Sequence, residues 1–269
     1  MTLRRLFESI GSKLKWLAVV LTMLFLVIPP VLIVLTSMEP GMIMVFPTTG
    51  LSLHWYVYFI NTAPLMEALR TSIVLASLAT VFSLLIGVPC AYAIVRYDFK
   101  GKQFLSTLFV SPLSLPSIVF GVSLLTYFNM VGFYFTFGKL LVAHVILVIP
   151  YVLRTTMAAF IGLDVSLEDA AKNLGADEIQ TFGKITLPLI KPGLIAGGVF
   201  AFATSFDDLG VAIFLSDYKT YTLPVTLFAF MKSSFSPAIA AVSSVLLIIT
   251  FAVIVVIEKT MGVDKFTGI

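Results

Sequence analysis

Apolar residues run along this chain in long, nearly unbroken blocks, and the polar residues gather between them. A bilayer core takes about 20 mainly apolar residues per helix. Six segments meet that requirement: residues 16–37, 69–95, 104–130, 139–160, 192–215 and 239–258. Their length and continuity set them apart from the short alternating pattern of a half-buried strand. The first run is longer than a signal-peptide core and no small-residue cleavage site follows it, so it is expected to stay as a span. The pattern predicts an all-α integral membrane protein with six transmembrane helices, a single domain over 1–269 with its core at 69–258.

Composition agrees with a membrane assignment. The chain is 59% hydrophobic and 12% charged, whereas a soluble domain is about half apolar and a quarter charged. Six spans put both termini on one side, and 13 of the 17 Lys and Arg fall there, among them Arg4, Arg5, Arg96, Arg154, Lys172, Lys259 and Lys265. Arg70, Lys139, Lys219 and Lys232 fall on the other side. The positive-inside rule then places the termini in the cytoplasm, so the net charge of +3 reads as topology rather than as an anion or nucleic-acid site. The loops 38–68 and 216–238 would face outward and the polar segment 161–191 inward.

Prolines punctuate several spans: Pro29 and Pro30 in the first, Pro112 and Pro116 in the third, Pro150 in the fourth. Each frees backbone groups, which within a bilayer must face protein or a water-filled cavity. Such interruptions fit a transport path, and they also occur in any membrane bundle.

The loop 161–191 carries the most local information. Ser166 with Asp169 three residues on resembles a capping box, and Glu168 and Asp169 in a first turn suit the helix dipole. Gly175 suits the left-handed residue that ends a helix. The spacing predicts a helix of about two turns with Leu167, Ala171 and Leu174 on one face. A second short helix is predicted from Asp177, bringing Ile179 and Phe182 together before Leu187-Pro188 and Pro192 mark the return to the membrane. Isolated helices this short are marginal in water, so the hairpin is expected to dock on other helices or on a partner.

Glu168-Asp169-Ala170-Ala171, Gly175 and Ile185-Thr186-Leu187-Pro188 resemble the "EAA" loop of type I ATP-binding-cassette importer permeases. Asp169 stands where many members carry the first alanine. The resemblance implies that the loop forms coupling helices seated in a cleft of an ATPase subunit, with Glu168, Asp169, Ala170, Ala171, Leu174, Gly175 and Phe182 as the coupling residues. It implies as partners two copies of an ATP-binding-cassette ATPase, a second and homologous permease subunit, and a periplasmic or lipid-anchored substrate-binding protein. ATP and Mg would sit on the ATPase, with no cofactor in this chain.

Ser205-Phe206-Asp207-Asp208 falls inside the predicted fifth span, where ionised Asp costs about 2.5 to 3.5 kcal/mol on insertion scales. Intramembrane acids are candidates for a solute path, with Ser205 and Tyr151 beside them. The other readings are that one Asp caps a broken helix or pairs with a base on a partner. His144 reads as an interhelical hydrogen-bonding residue and Arg154 as an interfacial one. Downstream, Phe214-Leu215-Ser216, Thr222-Leu223-Pro224-Val225, Met231-Lys232 and Ser236-Pro237 are similar to the spermidine/putrescine permease branch, in particular its second membrane subunit. That resemblance implies a polyamine cargo, with ferric iron, thiamine and opines as alternatives within the family.

Other chemistries find no support. A phosphate loop needs G-x-x-x-x-G-K-[ST], and Gly183-Lys184 is followed by Ile185. His54, His144 and Cys90 are too few for a His/Cys zinc site, and the single cysteine precludes an intrachain disulfide. The competing class is an ion-coupled carrier or channel, which also uses broken helices and membrane acids.

Overall fold

A computed structural model describes residues 3–233 and 236–261, with side chains described over 13–233 and 236–255. Lys265 of the basic set lies outside the described residues, as do the side chains of Arg4, Arg5 and Lys259. Among the described residues all regular structure is helical. The apolar blocks dictate this, because a backbone in hydrocarbon has to satisfy its own N–H and C=O groups.

The long helices are α1 (Leu3–Thr36), α3 (Ala63–Arg96), α6 (Thr136–Ile161), α9 (Leu187–Phe206) and α12 (Pro237–Met261). Between α1 and α3 lies α2 (His54–Asn61), and between α3 and α6 lie α4 (Lys102–Val110) and α5 (Ser117–Met130). The loop after α6 holds α7 (Val165–Asn173) and α8 (Glu178–Thr181); α10 (Ala212–Leu215) and α11 (Leu223–Ser233) follow α9.

Among the described residues five helices are long and apolar enough to cross a membrane, and a sixth span results if the bent pair 102–114 and 117–130 is counted as one. That pair is the predicted third span, and it turns by 110° at its break. Pro112 lies in a 3-10 turn over Ser111–Ser114 and Pro116 is the N-cap of α5, so neither residue can supply the amide that would continue a helix. The other prolines act differently from expectation: α1 runs through Pro29 and Pro30 and α6 through Pro150. The predicted fifth span shifts toward the N-terminus, since α9 ends at Phe206 instead of continuing to residue 215.

The chain forms two compact units, Met1–Ala63 with Ala229–Ile248, and Pro64–Phe228 with Ile249–Ile269. In the first, the segment after α1 is a folded loop rather than a simple connection. Glu39 is buried and accepts hydrogen bonds from Gly41 N at 3.1 Å, Thr49 N at 2.8 Å and Thr49 Oγ1 at 2.5 Å. The Thr49 hydroxyl, ahead of its amide, holds the Glu39 carboxyl below its usual range. Trp55 on α2 donates to the Glu39 carbonyl at 2.9 Å and packs on Ala238 and Ala241 of α12.

In the second unit α6 and α9 cross in close contact. A Cβ on Gly193 would lie 2.5 Å from Ala159 Cβ, and one on Gly197 would lie 3.1 Å from Val152 Cα. The four-residue spacing of these glycines is the small-xxx-small arrangement that brings membrane helices together. Around this crossing Ala79, Val148, Val152 and Ala201 form one buried cluster. Leu75, Phe120, Phe128, Leu140, Val211 and Leu215 belong to another, at the end of α9.

Candidate functional site: a helical hairpin and an acidic helix end

The hairpin begins at Asp164, whose Oδ1 accepts from Ser166 N at 2.9 Å and caps α7. The cap is therefore two residues earlier than the expected Ser166, because Val165 already has helical geometry. Gly175 ends the helix at φ +93°, with Gly175 N bonded to Lys172 O at 2.9 Å and Ala176 N to Ala171 O at 3.0 Å. These two bonds are the Schellman pattern, which needs a residue tolerant of the left-handed region. Asp177 then caps α8 by accepting from Gln180 N at 2.7 Å.

Between α8 and α9 the backbone widens into a π turn over Phe182–Thr186, where Leu187 N reaches back to Phe182 O. Pro188 follows at once. Its ring would crowd the carbonyl four residues earlier in a regular helix, and a wider turn relieves that clash.

The predicted coupling residues divide into two groups. Asp169, Ala170, Leu174 and Gly175 are exposed, with Leu174 89% accessible, and Ile179 on α8 is 84% accessible. Ala171 is half-buried. Glu168 and Phe182 point inward instead. Glu168 is 5% accessible: its Oε2 lies 3.2 Å from Arg96 Nε, and its Oε1 accepts from Thr186 Oγ1 at 2.8 Å and from Arg96 Nη2 at 3.4 Å. The Phe182 ring meets Tyr92 edge-on at 5.4 Å. Arg96 and Thr186 carry no sequence signal for this role, since one reads as an inner-interface base and the other as part of a motif.

At the other end of α9 the acidic residues lie just beyond the helix. Asp207 is its C-cap, about 30 Å along from Leu187 at 1.5 Å per residue. Asp207 is exposed, and its carboxylate has no hydrogen-bond or ion-pair partner among the described residues. Asp208 is different. Its Oδ2 accepts from Val211 N and Ala212 N, each at 3.0 Å, and lies 3.9 Å from Nε2 of the fully buried His144. His144 Nδ1 is 2.8 Å from Ser205 Oγ.

Ser205, Asp208 and His144 thus form one buried polar knot, with Asp207 presented beside it. Tyr151 is elsewhere, about 10 Å further along α6 than His144, with its ring stacked on Phe200 at 6.5 Å. A groove of about 710 Å³ lined by Thr80, Leu84, Val88, Leu194 and Phe202 among others has no ionisable residue in its wall, so the acidic chemistry is outside it. Among the described residues no cluster of His, Cys, Asp and Glu is arranged to hold a metal.

Comparison with known proteins decides the family. The pattern of the binding-protein-dependent transport system inner membrane components matches residues 83–261. The chain belongs to that family of ABC importer permeases. It is 34% identical over 219 residues to the spermidine/putrescine transport system permease protein PotC of Escherichia coli (strain K12), covering 81% of this chain and 83% of PotC. It is 31% identical over 230 residues to the putrescine transport system permease protein PotI of the same strain, covering 83% of this chain and 82% of PotI. The molybdate/tungstate permease protein WtpB of Pyrococcus abyssi is 28% identical over 223 residues, covering 83% of this chain and 89% of WtpB. A bacterial ABC transporter importing alginate shares the fold, with a TM-score of 0.69 at 17% identity over 94% of this chain and 96% of that one. As a member of this family the chain is a multi-pass inner-membrane transport subunit and not an enzyme.

Proposed function

We propose that this permease passes polyamines such as spermidine and putrescine, or a related small cationic amine, by alternating access. The observation that carries the cargo assignment is Asp207, an exposed carboxylate with no protein partner among the described residues, set at a helix end. An ammonium group passing a low-dielectric wall needs such a charge partner. The relatives PotC and PotI are named for polyamines, and WtpB for oxyanions that a carboxylate would repel.

In this reading 1–269 is one permease domain with cytoplasmic termini in a bacterial inner membrane. Two copies of an ATP-binding-cassette ATPase, carrying ATP and Mg, grip the coupling hairpins of this chain and of a second, homologous permease. The exposed Leu174 and Ile179, with Asp169, Ala170 and Gly175 around them, form the gripped surface. A periplasmic or lipid-anchored binding protein delivers the cargo, and the nucleotide state biases a two-state helix bundle. Asp207 receives the amine, while Ser205, Asp208 and Tyr151 support the path.

The test is uptake of labelled putrescine and spermidine by cells lacking the chain and all redundant systems, complemented with the intact chain or with Asp207→Asn. Restored uptake by the intact chain and loss with the variant is the expected result. No polyamine uptake with the intact chain, in a complex whose ATPase is active, would overturn the cargo assignment.

A further inference from the structure

Resting on the reading above, in which the hairpin receives the ATPase, the geometry points to Arg96 and Thr186 as positioning residues that lock the hairpin to two membrane helices through Glu168. Glu168 is then an internal strut between the hairpin and the membrane helices.

A lever works only if its handle is rigidly joined to what it moves. The handle here is α7, nine residues long and too short to be stable alone. Its apolar side chains do not anchor it inward, since Leu167 and Leu174 are both exposed. Glu168 supplies the joint. Its two oxygens are shared between Arg96, in the last turn of α3, and Thr186, in the π turn that leads into α9. One side chain of the handle therefore holds the ends of two membrane-spanning helices.

The surroundings keep this joint stiff. Glu168 and Thr186 are almost fully buried, and removing water strengthens charge-assisted hydrogen bonds. The Arg96 guanidinium lies 6.0 Å from the centre of the Phe160 ring on α6, which limits its swing. One turn earlier on α3, Tyr92 touches Phe160 at 5.3 Å and Phe182 at 5.4 Å, so α3 also holds the returning arm of the hairpin. The π turn is the irregular joint in this return, and Thr186, its last residue, is tied across to α7. Displacement of α7 must then move α3 and α9 together, because flexing at the π turn would first break the Thr186 bond.

The test uses the complete transporter in proteoliposomes, measuring ATP hydrolysed, solute taken up, and the affinity of the ATPase for the permease. Thr186→Val keeps the shape and removes one hydroxyl. It is expected to lower solute moved per ATP by roughly fivefold, the factor set by one lost hydrogen bond, with ATPase affinity within twofold. Arg96→Gln is expected to do the same or more, and the exchange Arg96→Glu with Glu168→Arg to recover part of the loss. If Glu168→Gln weakens ATPase binding while Thr186→Val and Arg96→Gln keep the normal transport ratio, Glu168 is a docking contact and the strut assignment is wrong. Should Arg96→Gln fail to accumulate, Thr186→Val decides alone, a normal ratio overturning the proposal. An intact transporter with no ATP-driven uptake would instead sink the importer reading, an outcome distinct from any pattern among the variants.

Discussion

Asp207 and Asp208 are neighbours in sequence and opposites in environment, and that contrast governs what each substitution should do. Asp208 spends its carboxylate on the amides of Val211 and Ala212, so Asp208→Ala should destabilise the detergent-solubilised protein by about 1 to 2 kcal/mol, the usual cost of a lost cap, measured by thermal unfolding. Asp207→Asn removes a charge that no described group uses, so unfolding should be unchanged while polyamine uptake falls roughly tenfold or more, the scale of one charged hydrogen bond. Equal behaviour of the two variants would contradict the division. The sequence pointed to the acidic pair and left open whether one acid caps a broken helix. Asp208 is that cap. What the sequence could not supply was where α9 stops, because the apolar run continues past the acids through residues 211–215.

At the scale of elements, the long helices were legible because a 20-residue apolar run has few alternatives in a bilayer. The third span was legible as a segment but not as a bend, since Pro29, Pro30 and Pro150 stay within helices while Pro112 and Pro116 mark a 110° turn. Proline chemistry is the same at each site, and packing decides. The hairpin was readable from its caps, Asp177 and Gly175, whereas the inward turn of Glu168 depends on Arg96, 72 residues away in sequence. Its exposed face carries a prediction: Leu174→Arg should abolish co-purification of the ATPase and leave the permease in the membrane with unchanged unfolding. The crossing of α6 and α9 carries another. Gly193→Val places atoms where Ala159 and the Thr155 carbonyl already stand, and overpacking of this kind costs about 1 to 3 kcal/mol. A lower unfolding temperature, with impaired uptake, is the expected readout.

For the whole molecule, the family assignment joins the two ends of α9 in one account. The helix starts after the π turn held by Glu168 and is followed at its other end by Asp207 as C-cap, so under the proposed function work applied at the hairpin would reach the carboxylate through one continuous helix packed on α6. The most direct measurement is labelled spermidine uptake into proteoliposomes holding the complete transporter and its binding protein, with ATP supplied or withheld and no ion gradient. Uptake is expected only with hydrolysable ATP and is lost in Leu174→Arg despite normal insertion of the permease. Uptake that proceeds without ATP, or that survives Leu174→Arg at the intact rate, would contradict that expectation.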